Sequence, residues 1–188
     1  MRDDPVHQTL TEITRRLADL GIPYAVVGGM ALVAHGYLRT TVDVDVLVTA
    51  DGLKAIHEKL EGTEYLPLFA GSKNLRDTKT GVRIEFIVTG QFPGDGKPKP
   101  IAFPDPASAS VVETIDGVNY VNLPTLVELK LASGMTNPGR LRDLADVQEL
   151  IRVLKLPKEF ADRLNPFVRS RYVEVADAVL TQPDRGDE

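Results

Sequence analysis

Val42-Asp43-Val44-Asp45-Val46-Leu47-Val48 is the stretch whose reading decides the fold. Side chains of a β-strand alternate between its faces, so Val42, Val44, Val46 and Val48 are expected to point one way, into a core. Asp43 and Asp45 point the other way, side by side, with Cα atoms about 6.6–6.8 Å apart at the ordinary strand rise. Aspartate is disfavoured in strands, and two between valines oppose local propensity. Carboxylates so placed repel each other unless a cation lies between them, and a hard divalent ion takes oxygen ligands of this kind. The pair reads as a metal site for Mg²⁺, with Mn²⁺ as a substitute.

Upstream, Tyr24-Ala25-Val26-Val27 is a short apolar strand followed directly by Gly28-Gly29. Met30 to His35 has helical composition and ends at Gly36. A strand, a glycine turn and a helix start leave backbone N–H groups open at a positive helix end, which suits phosphate; the same glycines also permit a tight turn. The chain returns to the acidic strand through Arg39-Thr40-Thr41. Arg39 either caps the preceding helix, pairs with Asp43 as a counter-ion, or reaches phosphate. A phosphate cradle about 15 residues before a metal pair points to metal-assisted phosphoryl or nucleotidyl transfer.

Downstream, Val82, Ile84, Phe86 and Val88 form one face of a second strand, which sends Glu85 to the other face. Lys130 stands between Leu129 and Leu131 in a helical stretch, so spacing does not decide its direction. Asp143 and Asp146 are three residues apart on a later helix and share a face. Each can pair with Arg140 or Arg142, or act in catalysis. His35 reads as a helix-end or packing residue.

Gly28-Gly29, then Arg39-Thr40-Thr41-x-Asp43-Val44-Asp45, resemble the signature of the nucleotidyltransferase superfamily that includes DNA polymerase beta. Ile84-Glu85-Phe86 fits the place of that family's third acidic residue, with glutamate where aspartate is more frequent, and Gly29 stands where serine is often found. Lys130 with Arg140-x-x-Asp143-x-x-Asp146 is similar to the helical half of abortive-infection nucleotidyltransferase toxins and their uncharacterised relatives. The resemblance implies Asp43, Asp45 and Glu85 as metal ligands and catalytic acids. It implies nucleotide contacts from Gly28, Gly29, Arg39, Lys130 and Asp143, with Lys130 and Asp146 also catalytic. Its partners would be a nucleoside triphosphate, an acceptor hydroxyl on a tRNA 3′ end, a protein or a small molecule, and a cognate antitoxin. A non-catalytic, antitoxin-like nucleotide-binding module is the rival expectation.

The 188 residues suffice for a real core, and 43% hydrophobic with 26% charged residues is ordinary for a soluble globular protein. With no cysteine there is no disulfide, thiolate metal site or cysteine nucleophile, which fits a reducing cytoplasm. The polar N-terminus does not read as a signal peptide, and no apolar run is long enough to span a bilayer. A net charge of −5 argues against a grip on long nucleic acid through its phosphates.

The remaining patterns predict an α/β (α+β) fold: a mixed sheet flanked by helices over 1–122, a helical unit over 123–181 and a disordered tail over 182–188. Val6, Leu10, Ile13, Leu17 and Leu20 make a helical stripe ended by Gly21 and Pro23. Asp51 is expected to cap a helix over 52–60, and 64–69 reads as an edge strand because of Pro67. Hairpins are expected over 75–88 and 111–121. Residues 90–107, crowded with glycine and proline, form a long loop that is either a surface excursion or a cover for the site. Helices follow over 124–133, 140–154 and 166–180, with a turn at 134–139 and a short helix from Pro157.

Overall fold

A computed structural model of the chain describes residues 4–181, so the expected tail lies outside the described residues. Seven strands form one mixed sheet in the order β3-β4-β5-β2-β1-β7-β6. They span β1 Tyr24–Val26, β2 Asp43–Val48, β3 Tyr65–Pro67, β4 Leu75–Asp77, β5 Arg83–Val88, β6 Val112–Ile115 and β7 Val118–Val121. The helices are α1 Pro5–Asp19, α2 Gly28–Ala34, α3 Ala50–Leu60, α4 Leu123–Thr136, α5 Leu141–Leu154 and α6 Pro166–Thr181, with a 3-10 segment at Lys158–Arg163.

The sheet centres on β2. It runs antiparallel to β1 on one side and parallel to β5 on the other. Val44, Val46, Val48, Ile84 and Phe86 are wholly buried, as alternation requires. Val42 is not part of this row: β2 begins at Asp43, and Val42 is exposed. The parallel register sets Asp45 beside Glu85 and Asp43 beside Arg83. The β4–β5 pair and the β6–β7 pair are antiparallel, as the two expected hairpins require, and the Pro67 strand is the edge.

Helix α1 buries Val6, Leu10, Ile13 and Leu17 and packs on β2. Each of those leucines contributes roughly 1.5–3 kcal/mol by leaving water. Helices α4, α5 and α6 pack on one another, and α4 also meets α2. Two helix boundaries differ from expectation. Thr49, not Asp51, caps α3: its Oγ1 accepts from Gly52 N at 3.0 Å, and Asp51 sits in the first turn, where its charge suits the helix dipole. Helix α4 starts at an Asn122 cap and continues through Gly134 to Thr136. Gly134 is a packing residue rather than a turn: a Cβ there would lie 2.5 Å from Leu144 Cγ on α5.

Candidate active site

Three carboxylates converge where β2 and β5 lie side by side. One oxygen each from Asp43, Asp45 and Glu85 can be chosen so that all lie within 4.8 Å of one another. Alternation turns all three out of the core, and the parallel register makes Asp45 and Glu85 direct neighbours. Burial, then the negative charges of Asp43 and Glu85, push the Asp45 carboxyl up to about 7, with Lys130 and Arg140 acting against them. A crowd of half-buried oxygens with one acid held reluctant to ionise is a donor set that fits a hard cation such as Mg²⁺.

The glycines make room for this acid. Gly28 has φ +62°, and a Cβ on it would fall 1.9 Å from Asp45 Oδ2. A Cβ on Gly29 would meet Thr41 Oγ1 at 2.7 Å. Both glycines open the first turn of α2, so the expected turn and helix start are one structure. Thr41 in turn donates to the Asp43 backbone oxygen at 3.3 Å.

Across the cleft the helices contribute a network of opposite charges. Lys130 Nζ on α4 donates to Asp143 Oδ1 and Asp146 Oδ2 on α5, each at 2.7 Å. Arg39 Nη1 donates to both oxygens of Asp146, at 2.8 and 2.7 Å. Arg140 Nε and Ser133 Oγ hold the far oxygen of Asp143, at 2.8 and 2.6 Å. Burial alone would raise Asp143, but Lys130, the hydrogen bond from Ser133 and the charge of Arg140 outweigh it and hold the carboxyl below the usual range. Three cations meet two carboxylates here, so the wall keeps a positive excess.

Placement separates the expected residues. Asp43, Asp45, Glu85, Gly28, Gly29, Arg39, Lys130 and Asp143 all line one cleft of about 620 Å³. Asp146 does not line it; it is 2% exposed behind Lys130, where its oxygens are taken by Arg39 and Lys130. Asp146 therefore touches the cleft only through Arg39 and Lys130, whose N–H groups its two oxygens accept. Lys130, 8% exposed, spends two of its three N–H bonds on the same acids. Arg39 pairs with Asp146, not Asp43. His35 closes α2, its ring bonded to the Val121 oxygen at 2.8 Å.

Arg140 and Arg83 are among the cleft residues that escaped the sequence reading. Arg140 figured there only as a partner for the α5 acids, yet its side chain is largely exposed and lines the cleft. Arg83 lies two residues before Glu85, so strand alternation itself places it on the acid face. The loop 90–107 resolves as a wall: Phe92, Pro93, Gly94 and Phe103 line the cleft. It is pinned to α4 and its end, since Asn137 Nδ2 donates to Gly94 O at 3.1 Å and a Cβ on Gly94 would sit 2.2 Å from Thr136 Oγ1. Lys99 Nζ ties the loop to itself through Pro93 O, Asp95 and Lys97 O.

No protein-family profile and no curated protein sequence matches the chain. Solved structures do match by shape. ANT(2″)-Ia in complex with adenylyl-2″-tobramycin is 13% identical with a TM-score of 0.55, over 89% of this chain and 96% of that one. An antigenic nucleotidyltransferase-like protein from Paracoccidioides brasiliensis is 16% identical with a TM-score of 0.53, over 96% and 94%. A candidate nucleotidyltransferase from H. pylori is 17% identical with a TM-score of 0.50, over 95% and 83%. At these identities the likeness is one of fold, and the fold is that of the nucleotidyltransferases.

Proposed function

We propose that this chain, which has the nucleotidyltransferase fold, transfers a nucleoside monophosphate from a nucleoside triphosphate to an acceptor hydroxyl, with Mg²⁺ or Mn²⁺ held by Asp43, Asp45 and Glu85. One observation carries the reading: three acids from adjacent parallel strands meet on one side of a cleft whose helical side carries a positive excess. A bound divalent cation would act there as a Lewis acid on the phosphate oxygens.

The chain's own residues do the rest. Gly28 and Gly29 keep side-chain atoms away from the phosphates, and Arg39, Lys130 and Arg140 balance their charge. Asp143 and Asp146 aim those cations from behind. Glu85 accepts the proton of the acceptor hydroxyl. The freed oxygen bonds to the α-phosphorus, the bond to the β-phosphate breaks, and pyrophosphate leaves. Incubation with each labelled triphosphate, Mg²⁺ and separated tRNA, protein and small-molecule pools tests this by which pool gains label. No labelled product in any pool, together with no metal-dependent triphosphate binding by calorimetry, would overturn it.

The acceptor class follows from charge and fold company. A net charge of −5 disfavours long nucleic acid, which leaves a tRNA 3′ end, a protein hydroxyl and a small hydroxylated compound as the acceptor classes to assay. ANT(2″)-Ia was solved with an adenylylated small molecule, which makes that class the first to assay. A toxin role with a cognate antitoxin rests on the sequence resemblance. It predicts cytoplasmic growth arrest on expression that Asp43→Ala abolishes.

One observation favours the rival reading, a nucleotide sensor without turnover: Arg83 bridges Asp43 and Glu85. Triphosphate binding with no transfer over long incubation would establish it.

A further inference from the structure

Arg83 has a position no acid motif marks. Its Nη2 lies 2.5 Å from Glu85 Oε1 and 3.1 Å from Asp43 Oδ2. One guanidinium nitrogen therefore donates to Asp43 and forms an ion pair with Glu85, so it engages two of the three carboxylates proposed as metal ligands. The strand register makes the contact obligatory in direction: Arg83 pairs with Asp43 across β2 and β5 and precedes Glu85 by two on the same face. A divalent ion bridging Asp43 and Glu85 would need the place that this nitrogen takes, and two cations exclude each other by charge as well as volume. The side chain is 44% exposed and lines the cleft. Its head can swing away without disturbing the β5 ladder.

The geometry points to Arg83 as a built-in competitor for the metal, one that makes the bare ion bind weakly and couples metal entry to the arrival of a polyphosphate. This rests on the reading that the three acids hold metal, and adds to it the order of loading. While Arg83 bridges Asp43 and Glu85, it keeps their carboxylates apart at a fixed spacing and offsets their repulsion. A polyphosphate entering the same cleft offers the guanidinium a new anionic partner. The displaced head then stays in the cleft on phosphate oxygens while the ion takes the carboxylates. A merely structural ion pair would steady the fold and leave metal affinity unchanged.

The test uses the full chain, Mn²⁺ counted by electron paramagnetic resonance, and inorganic tripolyphosphate as the phosphate probe. Arg83→Met is expected to bind Mn²⁺ alone about tenfold more tightly than the parent chain. With tripolyphosphate present, the two proteins are expected to agree within about twofold, because the guanidinium has left the acids in both. Arg83→Lys, which keeps a cation, should stay near the parent value. Should Arg83→Met fold poorly, Arg83→Gln serves in its place, with melting curves to check. Equal or weaker Mn²⁺ affinity in the neutral variants would overturn the inference while leaving the metal site standing. No Mn²⁺ binding by any of the proteins, with or without tripolyphosphate, would overturn the site itself. Asp45→Asn, expected to lose binding in every background, shows that the counted ion sits among these acids.

Discussion

Burial and the neighbouring charges of Asp43 and Glu85 lift the Asp45 carboxyl from 3.8 to about 7. Between those values the folded chain holds a proton at Asp45 that the unfolded chain has released. Stability from this group is therefore present at the acid end of the window and falls as pH rises through about 7. A divalent ion reverses the trend by replacing the proton. Mg²⁺ is expected to raise the melting temperature more at pH 8 than at pH 5.5, as differential scanning fluorimetry would show. Asp45→Asn keeps the shape and removes the charge; at pH 8 without Mg²⁺ it should melt a few degrees higher, about 1 kcal/mol or more, and lose the response to Mg²⁺. An unchanged response would place the ion elsewhere. Asp143 has the opposite sign: held below the ordinary range, it supports the fold above 3.8 and loses that support only as pH falls through its lowered value. At this scale the acids were legible because period-two alternation decides a face. Lys130 was not, since leucines flank it on both sides and only packing against α5 decides where its ammonium goes. Alternation placed Arg83 on the acid face just as well, but nothing in a sequence shows that a long side chain bends back along its own strand.

Helix α4 meets α5 at a point where only glycine fits. Gly134→Ala would set a Cβ 2.5 Å from Leu144 Cγ and force the helices apart. Denaturant unfolding should show a loss of about 1–3 kcal/mol. Leu144→Ala in the same chain should recover part of it, so the two changes will be non-additive. The glycine reads as a turn in the sequence because glycine usually is one, and a helix partner that needs its missing side chain leaves no local mark. The loop 90–107 poses a similar problem. Its glycines and prolines announce irregular backbone, yet its fixing comes from Asn137 and Thr136, more than thirty residues on. Gly94→Ala, with φ +79° and a 2.2 Å approach to Thr136 Oγ1, should loosen the wall and quicken limited proteolysis within 90–107, with the melting temperature little changed.

Across the whole molecule, the buried ion network joins three parts of the chain: Arg39 before β2, Lys130 on α4 and the acids of α5. Removing Lys130 leaves Asp146 on Arg39 and Asp143 on Arg140 and Ser133, each short of one buried hydrogen bond. Lys130→Met should cost about 1.5–3 kcal/mol in equilibrium unfolding, more than a surface lysine would. Asp146→Asn should unfold less readily than that but bind triphosphate more weakly, because Arg39 and Lys130 lose their common brace. Hairpins and helices of this molecule could be read locally. The strand order could not, because β1 pairs in parallel with β7 across nearly a hundred residues, and such a pairing has no signature in either segment.

The parallel register of β2 and β5 has a consequence for insertions and deletions. Loss of one residue from the 78–81 turn shortens a connection and leaves the alternation of β5 in place. Loss of one residue within Arg83–Val88 turns every later side chain to the opposite face, driving Glu85 toward the core and a phenylalanine or isoleucine toward the acids. Tolerance to such length changes should therefore drop abruptly at Arg83, a boundary that deep indel scanning would trace to the residue.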